Sequence, residues 1–336
     1  MRYSARVTMK DVAKRANVSV NTVSLALKNS SRVHPETKAR VLQAVTELGY
    51  TPHYAAQHLR RGMSQTIGII MPDLHNFHFW DVVDGAEAEA YRHGFSITLT
   101  NTRLDLERES AALRELMASR YDGIILARAA SQQVPHDLLS AMKHGSSIVT
   151  VGRTWPGVDS VVYASEAARW KQLEYLYRLG HRRIAFVTGV AREGPGLDRI
   201  NTYNRFTAEH GLPSLLETCG LTLPDSVGAA RLLLARDLPP TAIICVNDYL
   251  ALGVYRAILE RGLCIPDDIS VAGFDNTHVG EHLFPAMTTV DINGQRGGRE
   301  AVRLLVERLS NRTLPPRTVE IEAKLIERES TAPPAE

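Results

Sequence analysis

The sequence is poor in cysteine and has no long apolar run, and both shortages exclude classes of protein. Its 336 residues include only three cysteines, Cys219, Cys245 and Cys264. Their spacing fits no metal motif, and an odd number of isolated cysteines predicts buried thiols rather than a disulfide framework. No apolar stretch approaches the roughly 20 residues of a membrane-spanning helix, and residues 1–10 lack a signal-peptide pattern. We therefore expect a cytoplasmic protein of two or three globular domains, with no membrane contact, metal or cofactor.

A strong excess of either charge is also missing, yet the charge is unevenly distributed. The net charge of the whole chain is only +2. Residues 1–61 contain four Lys and seven Arg against three acidic residues, a net charge of +8. The remainder carries 28 basic and 34 acidic residues, a net charge of −6. This asymmetry is typical of a small nucleic-acid-binding module joined to a domain that stays off DNA.

The basic segment contains two short helical patterns separated by a turn. Apolar residues fall on one face of each pattern: Val12, Ala13 and Ala16, then Val23, Ala26 and Leu27. Asn17 tolerates the left-handed conformation of a tight turn, and Ser19 is a good N-cap. The pattern predicts a helix-turn-helix whose second helix enters the DNA major groove. A helical hairpin in a bundle core is the alternative, although small polar residues leave one face of the second helix uncommitted to packing: Ser19, Asn21, Thr22 and Ser24.

A third helix and a linker follow. Pro35 suits the first position of a helix that Gly49 ends, and His34 is a weaker N-cap than serine. Residues 54–61 are good helix formers but too few to be stable alone, so a hinge helix or a plain linker remains open. We predict a DNA-binding domain at 1–50, a hinge or linker at 51–63, and a body from residue 64.

From Gln65 onward, short apolar strands alternate with helices in two runs. The first run extends from a strand at 66–71 to a strand at 148–151, and the second from about 161 to a strand at 269–273. Such alternation predicts parallel sheets with helices on both faces, here in two similar α/β lobes facing a cleft. We expect the residues from Ser330 to form a disordered tail.

Polar residues at the carboxyl ends of the predicted strands are candidates for a ligand site. Hydrogen-bonding groups mixed with aromatic rings have the composition of a sugar or nucleoside pocket. Some of these residues could have a structural role instead of binding a ligand. Asp248 could cap a helix that starts at Leu250, Asp275 could stabilise a turn, and Trp80 suits the core. The candidate effector-binding residues are His75, Phe77, His78, Phe79, Ala127, Arg199, Asn247, Asp248 and Asp275.

An enzyme is the main alternative among function classes. His75, His78, Asp248 and Asp275 could act as acid–base or metal groups, but they have no recognised metal or triad spacing. A solute-binding protein of a transporter is opposed by the basic head and by the missing signal peptide. We therefore expect a regulator with no enzyme activity.

These features resemble the LacI/GalR family of bacterial transcription regulators. A lone helix-turn-helix is a weak signal, but here the motifs occur in the family's order over nearly the whole chain. They are Asp11-Val12-Ala13, Val18-Ser19, Thr22-Val23-Ser24, Tyr50-Thr51-Pro52, Leu179–Ala185, Val246-Asn247-Asp248, Ala251-Leu252-Gly253 and Ile269–Asp275. The resemblance implies a repressor that binds a palindromic operator on the bacterial nucleoid as a homodimer or higher oligomer, under the control of a small-molecule effector.

The resemblance also implies a fold. An all-α helix-turn-helix head would precede a periplasmic-binding-protein-like α/β body of two parallel-sheet lobes, with crossovers near Val162, Asp291 and Val319. The N-lobe would then comprise 64–162 and 291–318, the C-lobe 163–290 and 319–329, and the tail 330–336.

The family motif assigns DNA contacts residue by residue. Residues 51–61 match a hinge helix that orders only on operator, where paired leucines enter the minor groove and kink the duplex. Leu59 is that leucine, Ala56 is the small residue needed for groove entry, and His53 replaces a common asparagine. The full set implied is Thr8, Ser19, Val20, Asn21, Thr22, Ser24, Leu25, Asn29, Tyr50, His53, Ala56, Gln57 and Leu59.

Two of these positions predict the operator sequence. Asn21 can recognise adenine through its amide, and Leu25 stands where many relatives carry arginine. Leucine donates no hydrogen bond, so its natural partner is a thymine methyl group. We expect A·T under Leu25 and a kinkable central step under Leu59. Inward packing of Leu25 is the alternative.

In the body, Arg199, Asn247 and Asp275 match the family's effector-contacting positions. Ile292 stands where the family commonly has glutamine, two residues after Thr-Thr-Val, so the effector chemistry departs from the family's pattern. We expect the effector to be a sugar or sugar-derived metabolite, with a nucleobase as the alternative.

Overall fold

Three helices form the N-terminal unit: α1 (Met9–Ala16), α2 (Val20–Leu27) and α3 (Pro35–Leu48). The computed structural model describes residues 7–50, 64–119, 121–127, 145–189 and 194–335. The chain divides into two compact units, Met1–Ser64 and Gln65–Glu336. The head core gathers the apolar faces of all three helices, so the predicted three-helix head is confirmed. The predicted hinge helix and a predicted helix at 137–144 lie outside the described residues.

Local chemistry sets the ends of these helices. Asn17 ends α1 in the left-handed region at φ 53°, and Gly49 ends α3 at φ 59°. Pro35 occupies the first turn of α3, where its missing N–H costs nothing. The His34 side chain makes no cap hydrogen bond, as expected for a weaker cap.

A six-stranded parallel sheet forms the N-lobe, in the order β11-β5-β4-β3-β1-β2. Separate apolar clusters cover its two faces, which is why its inner strands β1, β3 and β4 are buried almost throughout. Its strands are β1 (Thr66–Met71), β2 (Ser96–Asn101), β3 (Gly123–Ala127), β4 (Ser147–Val151), β5 (Asp159–Tyr163) and β11 (Thr318–Ile321), and its helices are α4 (Phe77–Arg92), α5 (Leu106–Ala118) and α11 (Gly294–Ser310).

A four-stranded parallel sheet, β7-β6-β8-β9, forms the C-lobe. Its strands are β6 (Ile184–Gly189), β7 (Leu215–Cys219), β8 (Ala242–Cys245) and β9 (Ser270–Ala272), and its helices are α6 (Ser165–Arg178), α7 (Gly194–Glu209), α8 (Leu223–Leu234), α9 (Asp248–Glu260) and α10 (His278–Glu281). Short strands β10 (Thr289–Asp291) and β12 (Lys324–Ile326) pair antiparallel. Edge strand β7 escaped sequence prediction because it is only partly buried and carries no clear alternation. No helix in the described ranges is long and apolar enough to cross a bilayer.

Three sequence predictions need correction. β11 pairs with β5 in the N-lobe sheet, so the third crossover follows Ile321 rather than Val319. The tail is not disordered from Ser330: Ser330 is fully buried and its backbone oxygen accepts a hydrogen bond from Val271 N at 2.9 Å. Of the three cysteines, all free thiols as expected, only Cys245 is buried, while Cys264 is exposed.

Helix α4, which carries several candidate site residues, packs on α11 through glycines. A methyl group at Gly298 would lie 1.9 Å from the Val82 carbonyl oxygen, and one at Gly85 would lie 1.9 Å from that of Gln295. Because the obstacles are backbone atoms, no side-chain rotation can relieve them. The close approach therefore fixes α4 against the sheet.

Gly298→Ala should destabilise the body because it forces α4 and α11 apart. We expect a loss of about 3 kcal/mol in the free energy of unfolding, the upper end of the cost of overpacking. Gly228→Ala is the matched control, since no atom lies within 4 Å of its added methyl group. In α8 that change should stabilise by up to about 1 kcal/mol. Denaturant unfolding of both variants measures the difference, and equal stabilities would contradict the close packing.

Candidate DNA-binding head and effector site

The turn between α1 and α2 leaves one face of the short helix α2 unpacked. Ser19 caps it: its Oγ accepts a hydrogen bond from Thr22 N at 3.0 Å and lies 2.9 Å from the Thr22 hydroxyl. Val23 and Ala26 are buried in the head core. The rest of the helix is exposed or half-buried, which leaves it available for a partner.

Asn21 and Leu25 lie on the side of α2 that faces away from this core. Each residue of an α-helix turns by about 100°, so both lie roughly 160–200° from Val23. Asn21 is exposed, whereas Leu25 and Val20 are half-buried and contact the edge of the core. The geometry leaves Asn21 free to donate and accept hydrogen bonds, and Leu25 able to make apolar contact.

The other predicted DNA contacts have varied settings. Thr8 precedes α1, and its N–H and hydroxyl both donate to the Asp11 carboxylate, at 2.8 and 2.6 Å. Asn29 is exposed at φ 55°, and its side-chain oxygen accepts a hydrogen bond from Lys38 Nζ. Tyr50 is only 8% exposed and belongs to the head core. Ser24 is half-buried, and four predicted contacts lie outside the described residues: His53, Ala56, Gln57 and Leu59.

On the N-lobe side of the cleft, the start of α4 presents Phe77. Asn76 caps α4, which begins at Phe77, by accepting a hydrogen bond from His78 N at 3.0 Å. The Phe77 ring meets C-lobe rings edge-on, with centroids 6.4 Å from Tyr249 and 5.5 Å from His278. Phe77 therefore lies where the two lobes approach each other.

His78 is buried behind Phe77. Burial lowers the pKa of its imidazole to about 4, with Arg199 acting in the same direction and Asp81 opposing, so the ring is neutral near pH 7. Within the part of the chain that the structure describes, its Nδ1 has no hydrogen-bond partner. The Tyr163 ring lies edge-on at 5.5 Å, and the Tyr163 hydroxyl is likewise buried without a partner. These two polar atoms are available to a ligand.

Four other N-lobe residues contribute less to the cleft. The His75 side chain is 71% exposed and its Nδ1 lies 2.8 Å from the Asp73 carboxylate. Phe79 packs against the lobe core, and Ala127 is buried at the end of β3. Trp80 is 46% exposed, with its indole N–H donating to Leu74 O, so its predicted core position is wrong.

On the C-lobe side, Arg199 and Asp275 form the charged part of the site. Arg199 lies within α7, which begins at Gly194. Burial lowers the pKa of Arg199 while Asp275 opposes that shift, and the Arg199 Nε has no partner. Burial raises the pKa of Asp275 to about 7, against the effect of Arg199. Among the described residues, the Asp275 carboxylate reaches across the cleft only to Asn76 Nδ2, at 3.5 Å.

Asn247 and Asp248 serve the fold. Asn247, not Asp248, caps α9, and its side-chain oxygen accepts from Leu250 N at 2.9 Å. The Asp248 carboxylate accepts three hydrogen bonds, from the Thr277 N–H and hydroxyl and from the Thr289 hydroxyl. Burial raises the pKa of Asp248 to about 7. Asp248 therefore joins the start of α9 to the loops beyond β9.

Three residues at the site were missed by sequence reasoning: Asp81, Tyr163 and Phe274. Asp81 follows His78 by about one helical turn, a spacing that could have indicated it. The guanidinium of Arg199 lies 5.7 Å from the centroid of the Phe274 ring. Phe274 directly precedes the predicted Asp275 at the end of a predicted strand, and that position was its signal. Nothing in the local sequence places Tyr163 there, since it depends on contacts between distant segments.

Comparison with known proteins identifies both parts of the chain. Residues 8–53 match the bacterial regulatory proteins of the lacI family, and residues 173–331 match the periplasmic binding protein-like domain. The HTH-type transcriptional repressor PurR of Vibrio cholerae is 32% identical over 328 residues, covering 96% of this chain and 97% of that protein. PurR of Pasteurella multocida is also 32% identical, over 96% of this chain and 98% of that protein.

A solved structure agrees over the same length. The lac repressor dimer bound to operator and the anti-inducer ONPF has a TM-score of 0.85 and 25% identity, covering 97% of this chain and 99% of that one. These matches cover both the helix-turn-helix head and the two-lobed body. The chain belongs to the LacI family of bacterial regulatory proteins and is a DNA-binding transcriptional regulator rather than an enzyme.

Proposed function

We propose that this regulator is a homodimeric repressor of the bacterial cytoplasm whose affinity for a palindromic operator is controlled by a nucleobase-like effector. Residues 1–50 would bind the major groove and residues 51–63 would act as the hinge. The cleft of the body would bind the effector. We favour a nucleobase over a sugar because the described part of the cleft offers few unused hydrogen-bonding atoms.

The observation that carries this proposal is how few polar atoms the described part of the cleft leaves unused. The fold occupies the Asn247 side-chain oxygen and the whole Asp248 carboxylate. Among the described residues, the groups left for a ligand include the Asp275 carboxylate and three unpartnered atoms, namely His78 Nδ1, Tyr163 Oη and Arg199 Nε. A sugar has a hydroxyl group on nearly every carbon, and each buried hydroxyl needs partners.

A planar heteroaromatic ring needs fewer hydrogen bonds and more aromatic surface. The cleft supplies that surface through Phe77, Tyr249 and His278, which meet edge-on. Ile292, where a polar glutamine is usual in the family, is buried against Phe274 and adds no hydrogen bond. A ring with adjacent N–H donors would pair with the Asp275 carboxylate and stack among these side chains.

Thermal unfolding of the full-length protein against adenine, guanine, hypoxanthine, cytosine and uracil, beside a panel of pentoses, hexoses and disaccharides, tests the effector class. A ligand at 100 times its dissociation constant stabilises the bound state by about 2.7 kcal/mol. We expect stabilisation by at least one nucleobase. Stabilisation by sugars alone would replace the nucleobase by a carbohydrate, and stabilisation by no member of the panel would refute both.

Asp275→Asn and Arg199→Ala should each weaken effector binding while operator binding by the ligand-free protein persists. A hydrogen bond to a charged group contributes about 1.5–3 kcal/mol, so we expect affinity to fall by about tenfold to a hundredfold. Asp198→Asn is the matched control, since Asp198 is the exposed neighbour of Arg199. Calorimetric titration with the best ligand measures the loss. Unchanged affinity in both variants would remove these residues from the site.

A further inference from the structure

Arg169, on helix α6, is completely buried. Its Nη1 donates to the Cys245 carbonyl oxygen at 2.9 Å and to Gln172 Oε1 at 2.6 Å, and its Nη2 donates to the Val246 carbonyl oxygen at 3.2 Å. Among the described residues no carboxylate lies within ion-pairing distance of it. A buried cation without a counter-ion is expensive, so its presence requires a compensating role.

Aromatic rings supply part of the compensation. The Arg169 guanidinium carbon lies 4.3 Å from the centroid of the Phe274 ring and 5.1 Å from that of Phe186. Phe274 also contacts Arg199 and directly precedes Asp275. Arg169 thus contacts both strand ends of the C-lobe site: the end of β8 through carbonyl oxygens, and the segment after β9 through Phe274.

Gln172, one turn further along α6, completes the arrangement. Its Nε2 donates to the Gly273 carbonyl oxygen at 2.6 Å, immediately before Phe274 and Asp275. Asp275 has φ 112°, a backbone conformation that disfavours every residue except glycine. Such a strained backbone conformation persists only where the surroundings enforce it. Gln172 is one of the groups that enforce it, together with the hydrogen bond from Asp275 N to Val290 O at 2.9 Å.

Resting on the proposed effector site, we propose that Arg169 and Gln172 are positioning residues for the effector. Their hydrogen bonds hold the ends of β8 and β9 so that Phe274 and Asp275 face the cleft. The fixed charge of Arg169 also favours the ionised, hydrogen-bond-accepting form of Asp275. Both side chains are fully buried and hydrogen-bonded within the C-lobe, so we expect neither to touch the effector. Arg169 Nε, which has no partner among the described residues, is buried as well.

The charged and titratable groups around Asp275 define what Arg169 contributes. Arg199 and Arg169 favour the carboxylate and Asp81 opposes it, while the Asn76 amide donates to it. Tyr163 and Asp248 are also close enough for Asp275 to raise their pKa values. Removing the Arg169 charge leaves Arg199 as the only cation among these groups, so Asp275 should bind its proton more tightly.

The first test needs no effector. The ¹³C signal of the Asp275 carboxyl group, assigned by its loss in Asp275→Asn, is titrated in the full-length protein. An opposite charge nearby shifts a carboxyl pKa by about 1–3 units, and in Arg169→Met we expect an upward shift at the low end of that range. Arg169→Lys keeps the charge and should titrate near wild type. Arg178→Met is the control, since Arg178 is exposed on the same helix and pairs with Glu174.

The second test uses the best nucleobase from the thermal panel. Arg169→Lys and Gln172→Met should each weaken effector binding about tenfold, the loss typical of removing a group that orients a binding residue. Operator affinity of the ligand-free variants and effector affinity of Arg178→Met should stay within twofold of wild type. If Arg169→Met does not fold, Arg169→Lys and Gln172→Met decide the hydrogen-bonding role.

The outcomes separate the two proposals. If wild type binds no nucleobase, the proposed effector class fails, while the Asp275 titration still tests Arg169. An Asp275 titration in Arg169→Met that matches wild type overturns the charge role. Unchanged effector affinity in both Arg169→Lys and Gln172→Met overturns the positioning role.

Discussion

Removal of residues 1–63 should abolish operator binding and leave effector binding by the body unchanged. The deleted segment carries a net charge of +8 and the whole predicted DNA-contacting surface, and the rest of the chain has a net charge of −6. An acidic body attracts no phosphate backbone, so neither specific nor electrostatic binding should survive. Specific sites are typically bound at least about 10³-fold more tightly than other DNA, and we expect at least that loss.

Fluorescence anisotropy with an operator selected from random DNA measures this loss, and thermal shift with the selected effector provides the control. The body should remain folded, because Gln65–Glu336 is a compact unit with its own sheets and cores. A truncated protein that binds operator as tightly as the full chain would refute the assignment of DNA binding to the head. A truncated protein that neither binds DNA nor responds to effector would show that the body depends on the head.

The features predictable from sequence are those set by neighbouring residues. Asn17 in the left-handed region, Ser19 as a cap and Gly49 at a helix end each follow from the chemistry of one side chain. Strand and helix alternation likewise gave two parallel-sheet lobes, since burial on both faces leaves continuous apolar strands. These signals depend on residues that are close in the sequence, so contacts between distant segments do not alter them.

The failures involve residues whose partners are far away in the sequence. Ser330 looked like part of a polar tail, but its Oγ donates to Val271 O at 2.6 Å and accepts from Thr288 N at 2.8 Å. Asp248 looked like a ligand or a cap, and instead it accepts from Thr277 and Thr289. Arg169 gave no signal at all, because its partners at Cys245 and Val246 are more than 70 positions away. Roles of this kind become visible only when folding brings these distant segments together in the lobe.

The base preference of the head depends on Leu25, and Leu25→Arg should change it. Leucine can contact only the thymine methyl group, whereas arginine can donate two hydrogen bonds to the O6 and N7 of guanine. Each such contact discriminates by about 1–3 kcal/mol. A homodimer on a palindrome makes the contact twice, so the preferred operator should differ by about 2–6 kcal/mol between the two proteins.

Selection of preferred sites from random DNA, for wild type and Leu25→Arg, measures the change. The variant should favour G at one symmetric position where wild type favours A·T. Leu42→Arg is the matched control, because Leu42 is 44% exposed on α3 and outside the predicted contact surface. Its added charge should raise affinity for all sequences equally, without changing the preferred base.

The half-buried state of Leu25 makes the outcome informative in both directions. Its contact with the edge of the head core contributes some stability, so Leu25→Arg should lose about 1 kcal/mol or less in unfolding, far below the roughly 2–5 kcal/mol of truncating a fully buried leucine. If the side chain faces bases, the selected sites change and stability hardly does. Identical selected sites together with a large loss of stability would show that Leu25 packs inward and contacts no base, leaving Asn21 as the residue on that face of α2 able to recognise sequence.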